Sequence, residues 1–224
     1  MVTTVSSPVG QVSPRIAARR EATVEEALDH AVAILVSDGV GAVTVSEIAR
    51  RMGMRAPSLY KYFPSLNAIY DALFARGNVE LNAYLDDAVR DLVPGLQRLL
   101  VASRAVLRWS HDNAALAQLM FWRPVPGFEP SAEAFEPSQA KWQRFRDDLA
   151  SAARRRELAA SADSDEAMHL LTILIAGIFS QQTANEPGVP FDDGRFTSRS
   201  EHALAMFVEY HSSGNTNGKK KGGR

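Results

Sequence analysis

The sequence predicts an all-α protein of about nine helices, and three observations carry that expectation. Apolar residues recur at i, i+3, i+4 and i+7 in segment after segment. Start signals, a Ser or Thr with Glu three residues on, and Gly or Pro stops separate those segments. No run alternates apolar and polar residues as a half-buried strand would.

With 224 residues, 46% of them hydrophobic, the chain can bury a sizeable core. Its net charge of −1 means that any affinity for a polyanion must come from a local cluster. The absence of cysteine excludes disulfide scaffolds, thiolate zinc sites and Cys nucleophiles. The N-terminus carries no apolar leader, and the longest apolar run, Leu170 to Phe179, is well short of the ~20 residues of a bilayer span. The expectation is a soluble, cytoplasmic protein without membrane contact.

Taken in order, residues 1–20 are rich in Val, Ser, Thr, Pro and Gly and are expected to form a disordered arm, with Arg15, Arg19 and Arg20 at its end. Thr23 with Glu26 opens the first helix, Leu28, Ala31, Val32 and Leu35 give its stripe, and Gly39 ends it. Thr44 with Glu47 starts the second, whose stripe is Val45, Ile48, Ala49 and Met52 and whose stop is Gly53. Pro57 suits the first turn of a third helix, with Leu59 and Phe63 inward and Arg55, Ser58, Lys61 and Tyr62 outward. Two short helices, a glycine turn and a basic outer face, with Arg50, Arg51, Arg55 and Lys61 clustered, describe a helix-turn-helix able to enter a major groove. An ordinary αα-corner has the same stripes and turn, so periodicity alone leaves both open.

Ser65 can cap a long fourth helix with the stripe Leu66, Ile69, Tyr70, Leu73, Phe74, Leu81 and Leu85, reaching toward Pro94. Helices five and six follow Gly95 and break near His111 to Asn113. Arg123 to Pro137, with four prolines, is expected to be a loop. Ser138 to Glu157 is helical with Trp142, Phe145 and Leu149 inward; the eighth helix runs from Ser164 to about Asn185. After a second loop, Ser198 with Glu201 caps a ninth helix ending near His211, and the tail 213–224 is basic and expected to be disordered.

The run Thr44 to Phe63 resembles the DNA-binding domain of the TetR (tetracycline-repressor-like) family of bacterial regulators. The family pattern reads roughly T-x-x-x-I-A-x-x-x-G-V-S-x-x-x-L-Y-x-x-F-x-x-K, and Thr44, Ile48, Ala49, Gly53, Leu59, Tyr60 and Phe63 stand in register. Arg55 takes the place of the usual capping Ser, and Leu66 that of the usual phosphate-binding Lys. The resemblance implies a DNA-binding domain over 21–80 and a regulatory domain for ligand and dimerisation over 81–212. It implies that Thr44, Ser58, Tyr60 and Lys61 hold phosphates, while Arg55, Ala56, Pro57 and Tyr62 meet base edges.

The eighth and ninth helices are unusually apolar, so each needs cover on most sides. They are expected to form a homodimer interface, with Ala176 and Gly177 permitting close approach, and a two-fold dimer implies a palindromic double-stranded DNA operator. The aromatic residues Trp109, Phe121, Trp122, Trp142 and Phe145, with Arg104, Arg108, His111 and Gln118 as polar points, are the expected pocket for a small-molecule effector. No catalytic motif is present, and the single Glu166-x-x-His169 lacks the second copy that a di-iron bundle needs. No enzyme activity, metal or cofactor is therefore expected. A ligand-responsive repressor is the leading reading, and a helical-bundle carrier of an apolar small molecule is the alternative.

Overall fold

The computed structural model describes residues 13–212, which contain nine α-helices and no strand. The expected basic tail lies outside the described residues. The chain divides into two compact units, Met1–Ala72 and Leu73–Arg224.

In the first unit, α1 spans Pro14–Asp38, α2 Val45–Arg51 and α3 Ala56–Leu59, and the first turns of α4 (Leu66–Ala88) complete it. The core is mainly aliphatic, with Leu28, Ala31, Ile34, Ile48, Leu59 and Ile69 buried beside Phe63 and Tyr70. The arm expected over 1–20 is corrected here, because α1 begins at Pro14 rather than at Thr23. Proline suits a first helical turn, and Ala, Arg and Glu residues then carry the helix through to Thr23. The Thr23 hydroxyl donates to the Arg19 carbonyl at 3.0 Å instead of capping anything. Residues 1–12 of that arm lie outside the described residues.

The second unit holds the rest of α4 together with α5 (Leu96–Asp112), α6 (Ala114–Trp122), α7 (Ala132–Arg154), α8 (Asp165–Asn185) and α9 (Ser200–Tyr210). Helix α5 is its axis, packed on α6, α7, α8 and α9, with Leu99, Val106, Leu107 and Trp109 buried. The expected domain boundary at 80 moves to Ala72 because α4 enters this unit earlier. Phe74 stacks on Phe135 at 5.9 Å, and a Cβ at Gly77 would stand 2.4 Å from Met120 Sδ. Gly77 is thus what lets α6 lie close against α4.

Acids from far along the chain close the start of α5. Asp148 Oδ1 accepts from the Gly95 N–H at 3.1 Å and from Arg98 Nε at 2.7 Å, and Glu157 Oε2 accepts from the Leu96 N–H at 2.8 Å. These carboxylates satisfy N–H groups that a helix start leaves without partners. Gly95 has φ of 150°, and a Cβ there would stand 2.8 Å from Glu157 Oε2.

Two further expectations are corrected in this unit. The loop expected over 123–137 ends at Ser131, whose side chain accepts from the Ala134 N–H at 3.1 Å, and Pro137 lies inside α7. The carbonyl that Pro137 leaves without a donor belongs to Glu133, which is exposed to water, and the Pro137 carbonyl accepts from Asn82 Nδ2 at 2.8 Å. Ser198 and Glu201 form no capping box. A 3₁₀ turn over Thr197–Arg199 leads into α9, and Glu201 pairs with Arg104 instead.

α8 starts at Ser164 as expected, and the Ser164 side chain caps it, accepting from the Ala167 N–H at 3.2 Å. The whole of α8 is more apolar than its longest run indicated: an 18-residue window reaches a mean hydropathy of 1.2, enough by length and composition to cross a membrane. Only 33% of that window is buried within the chain. Helices α8 and α9 pack together, yet Ile173, Met206 and Tyr210 remain 64%, 59% and 56% exposed.

Candidate functional site

The helix-turn-helix forms from local signals. The Thr44 side chain accepts from the Glu47 N–H at 3.1 Å, which starts α2. Glu47 does not reach back to complete a capping box. Its carboxylate accepts from Arg50 Nε at 2.7 Å and from Arg51 Nε at 2.9 Å, and these bonds hold it near a pKa of about 2. Arg51 also donates to Asp38 at 2.8 Å. Of the expected basic cluster, Arg50 and Arg51 are therefore engaged within the unit itself.

Gly53, with φ of 68°, turns the chain into α3. The third helix was expected to reach Phe63; its α-helical part stops at Leu59, and residues 60–62 continue as turns. Phe63 precedes Pro64, whose ring disfavours the helical conformation of the residue before it. Leu59 and Phe63 face inward and are buried. Thr44, Arg55, Pro57, Tyr60 and Lys61 are exposed, while Ala56, Ser58 and Tyr62 are half-buried. Arg20 donates to the Lys61 carbonyl at 3.2 Å, and its guanidinium lies 5.2 Å from the Tyr62 ring centre. That brace on the recognition segment was hidden in the sequence, because Arg20 fell in the stretch read as an arm.

The second unit contains a cavity of about 410 Å³ among α4, α5, α6, α7 and α8. Four of the expected residues line it: Phe121, Trp122, Trp142 and Phe145. Five do not. Arg104 and Arg108 pair with Asp192 at 3.5 and 2.8 Å, Arg108 lies over the Phe191 ring at 4.1 Å, and His111 meets the edge of the same ring at 5.7 Å. Trp109 is core, and Gln118 is half-buried on α6 away from the cavity. Helical geometry explains the miss: residues 104, 108 and 111 share one face of α5, and Val106, which does line the cavity, is about 200° round from Arg104.

The polar residues on the wall are ones the sequence reading passed over: Asn78, Arg123, Ser138, Lys141 and Thr172. Lys141 is 2% exposed and donates to Asn78 Oδ1 at 3.2 Å. Its Nζ lies 5.2 Å from the Trp142 ring centre and 5.6 Å from that of Phe121. Burial, helped by the neighbouring Arg144 charge, pulls its pKa down to about 8. The signal was a lysine three residues after Ser138 and four before Phe145, on the inward stripe of α7. Glu166 and His169 are both exposed on α8. Among the described residues, no group of three His, Asp or Glu stands close enough to hold a metal ion.

Residues 27–73 match the family described as bacterial regulatory proteins, tetR family. An uncharacterized HTH-type transcriptional regulator of Mycobacterium tuberculosis is 32% identical over 101 residues, 45% of this chain and 50% of that relative. The chain thus spans about half the length of the curated relatives it matches. The fold is that of the transcriptional regulator FadR from Bacillus subtilis, solved in complex with stearoyl-CoA, with a TM-score of 0.69 at 16% identity over 82% of this chain and 97% of that one. It is also that of AibR, solved in complex with isovaleryl coenzyme A and operator DNA, with a TM-score of 0.58 at 16% identity over 85% and 98%. Residues 27–73 thus carry the helix-turn-helix of the tetR family of bacterial regulatory proteins, and most of the chain shares the fold of these solved regulators.

Proposed function

We propose that the chain is a ligand-responsive transcriptional repressor that acts in the cytosol as a homodimer on a palindromic operator. The observation that carries this reading is the exposed edge Arg55, Pro57, Tyr60 and Lys61, set on a buried Leu59 and Phe63 and braced by Arg20. Among the described residues neither Arg55 nor Lys61 is in an ion pair, so both charges are available to a polyanion. Thr44, Ser58, Tyr60 and Lys61 hold phosphates and set register, while Arg55, Ala56, Pro57 and Tyr62 meet base edges.

The exposed apolar side chains of α8 and α9 are the dimer face, covering Ile173, Met206 and Tyr210 and burying the apolar side of α8 without any membrane. The effector enters the cavity of the second unit. Helix α4 gives Ile69 and Tyr70 to the first unit and Phe74 and Asn78 to the cavity wall, so a shift at one end is carried to the other along a single helix. An effector that binds one state more tightly draws the population to it, and release from the operator follows if that state spaces the two heads wrongly. The coenzyme A ligands of FadR and AibR, and the operator bound to AibR, support a reading in which this fold couples the two.

The test is fluorescence anisotropy of the purified protein with its own upstream intergenic DNA and with a random duplex of equal length, each titrated against salt. Tight binding to the upstream fragment with a steep salt slope is expected. Weak binding, equal on both duplexes and insensitive to reversal of Arg55 and Lys61, would favour the carrier.

A further inference from the structure

We propose that the cavity takes an amphiphile with a free carboxylate, its acid group on Lys141 Nζ and its apolar body against the aromatic wall. This deepens the regulator reading above and rests on it for the ligand's role as effector.

The Lys141 ammonium group lacks a counter-charge. Lys141 is almost fully buried, and a buried cation is costly unless an anion or several good acceptors meet it. None of the residues lining the cavity is acidic. Among the described residues the one hydrogen bond of Nζ goes to a neutral acceptor, Asn78 Oδ1. Asn78 is itself fixed, donating through Nδ2 to the Phe74 carbonyl at 3.0 Å. The faces of Phe121 and Trp142 supply the remaining stabilisation, which is weaker than an ion pair. Arg144, one turn on, adds repulsion, and its own charge is already met by Asp86 and Asn82.

A cationic ligand would meet that repulsion, and a neutral one would leave the ammonium as it stands. A carboxylate supplies the missing charge and accepts the donors that Asn78 does not use. Phe145, Phe179, Ile175 and Met120 then offer an apolar surface to the rest of the molecule. The carbonyl of a coenzyme A thioester is neutral and would not supply the charge, so the inferred ligand differs in its head group from the coenzyme A esters bound to the solved relatives. The acid would thereby join the bond that already ties Asn78 of α4 to Lys141 of α7.

The test is isothermal titration calorimetry on the full chain. The probes are the straight-chain acids from hexanoate to dodecanoate and 3-phenylpropanoate, each beside its primary alcohol and its coenzyme A thioester. At least one acid is expected to bind about tenfold or more tightly than its alcohol. Lys141→Met should weaken that acid by about ten- to a hundredfold and leave the alcohol within about threefold. If no acid in the series outcompetes its alcohol and its thioester, or if Lys141→Met keeps the acid's advantage, the inference is overturned. Should Lys141→Met fail to fold, the contrast of acid, alcohol and thioester on the unmodified protein decides alone. Anisotropy on operator DNA separates the two readings. An acid that binds through Lys141 without changing DNA affinity would sink the regulator reading and leave the ligand class standing. DNA binding with no preference for acids would do the reverse.

Discussion

In the first unit Glu47 meets Arg50 three residues on and Arg51 four residues on, all on one short helix. In the second, Asp148 meets the Gly95 N–H and Arg98 across 53 and 50 residues of chain, and it is buried. The first kind of pair is settled by helical spacing and is screened by water. The second exists only once two distant helices are packed, and it closes a helix start that would otherwise keep unpaired donors. The same contrast runs through the cores. The first unit is filled mainly by aliphatic side chains, whereas the second leaves a cavity walled by rings from four helices.

The sharpest way to break this contrast is Asp148→Ala. It strands the Gly95 N–H and the Arg98 guanidinium, and a loss of about 2–4 kcal/mol is expected in urea unfolding. Burial pushes the Asp148 carboxyl up, against the pull of Arg98 and Gly95, so Asp148→Asn, which keeps an acceptor, should cost much less. Next is Gly77→Ala, which drives a methyl group into Met120 and Leu116. A loss of about 1–3 kcal/mol in the same assay is expected, together with a change in ligand affinity, because Met120 lines the cavity.

Smaller still is Lys61→Ala, which touches no core. It should weaken binding to all DNA sequences by about three- to tenfold and lower the salt slope by about one. A change of sequence preference alone would mean that Lys61 reads bases. The smallest effect is the pH response of the Glu47 pair. Its pKa of about 2 in the folded chain lies below the ordinary 4.5, so its contribution is complete above pH 4.5 and is lost as pH falls toward 2. The difference in Tm between the parent and Glu47→Gln should therefore narrow as the pH is lowered through that window.

The division between local and distant interactions also decides how much was legible in the sequence. The helix-turn-helix, the cap at Ser65, the start of α8 at Ser164 and the break at Asn113 were all readable, because each depends on residues within a turn or two. The start of α1 was missed because a Pro- and Ser-rich prefix masked a strong helix-former run beginning at Pro14. Arg104 and Arg108 were misread as pocket residues because nothing local showed that Asp192, more than 80 residues on, would take them. Lys141 was overlooked for the opposite reason: a lysine at an inward position reads as an exception to the stripe, and only the assembled cavity shows what it faces.

The measurement that bears most directly on the account is selection of bound sequences from a library of random DNA duplexes by the purified full chain. One enriched motif is expected, made of two inverted half-sites about one helical turn apart, centre to centre, as two recognition helices of a symmetric dimer require. Recovery of no motif, or of a single unrepeated half-site, would contradict it.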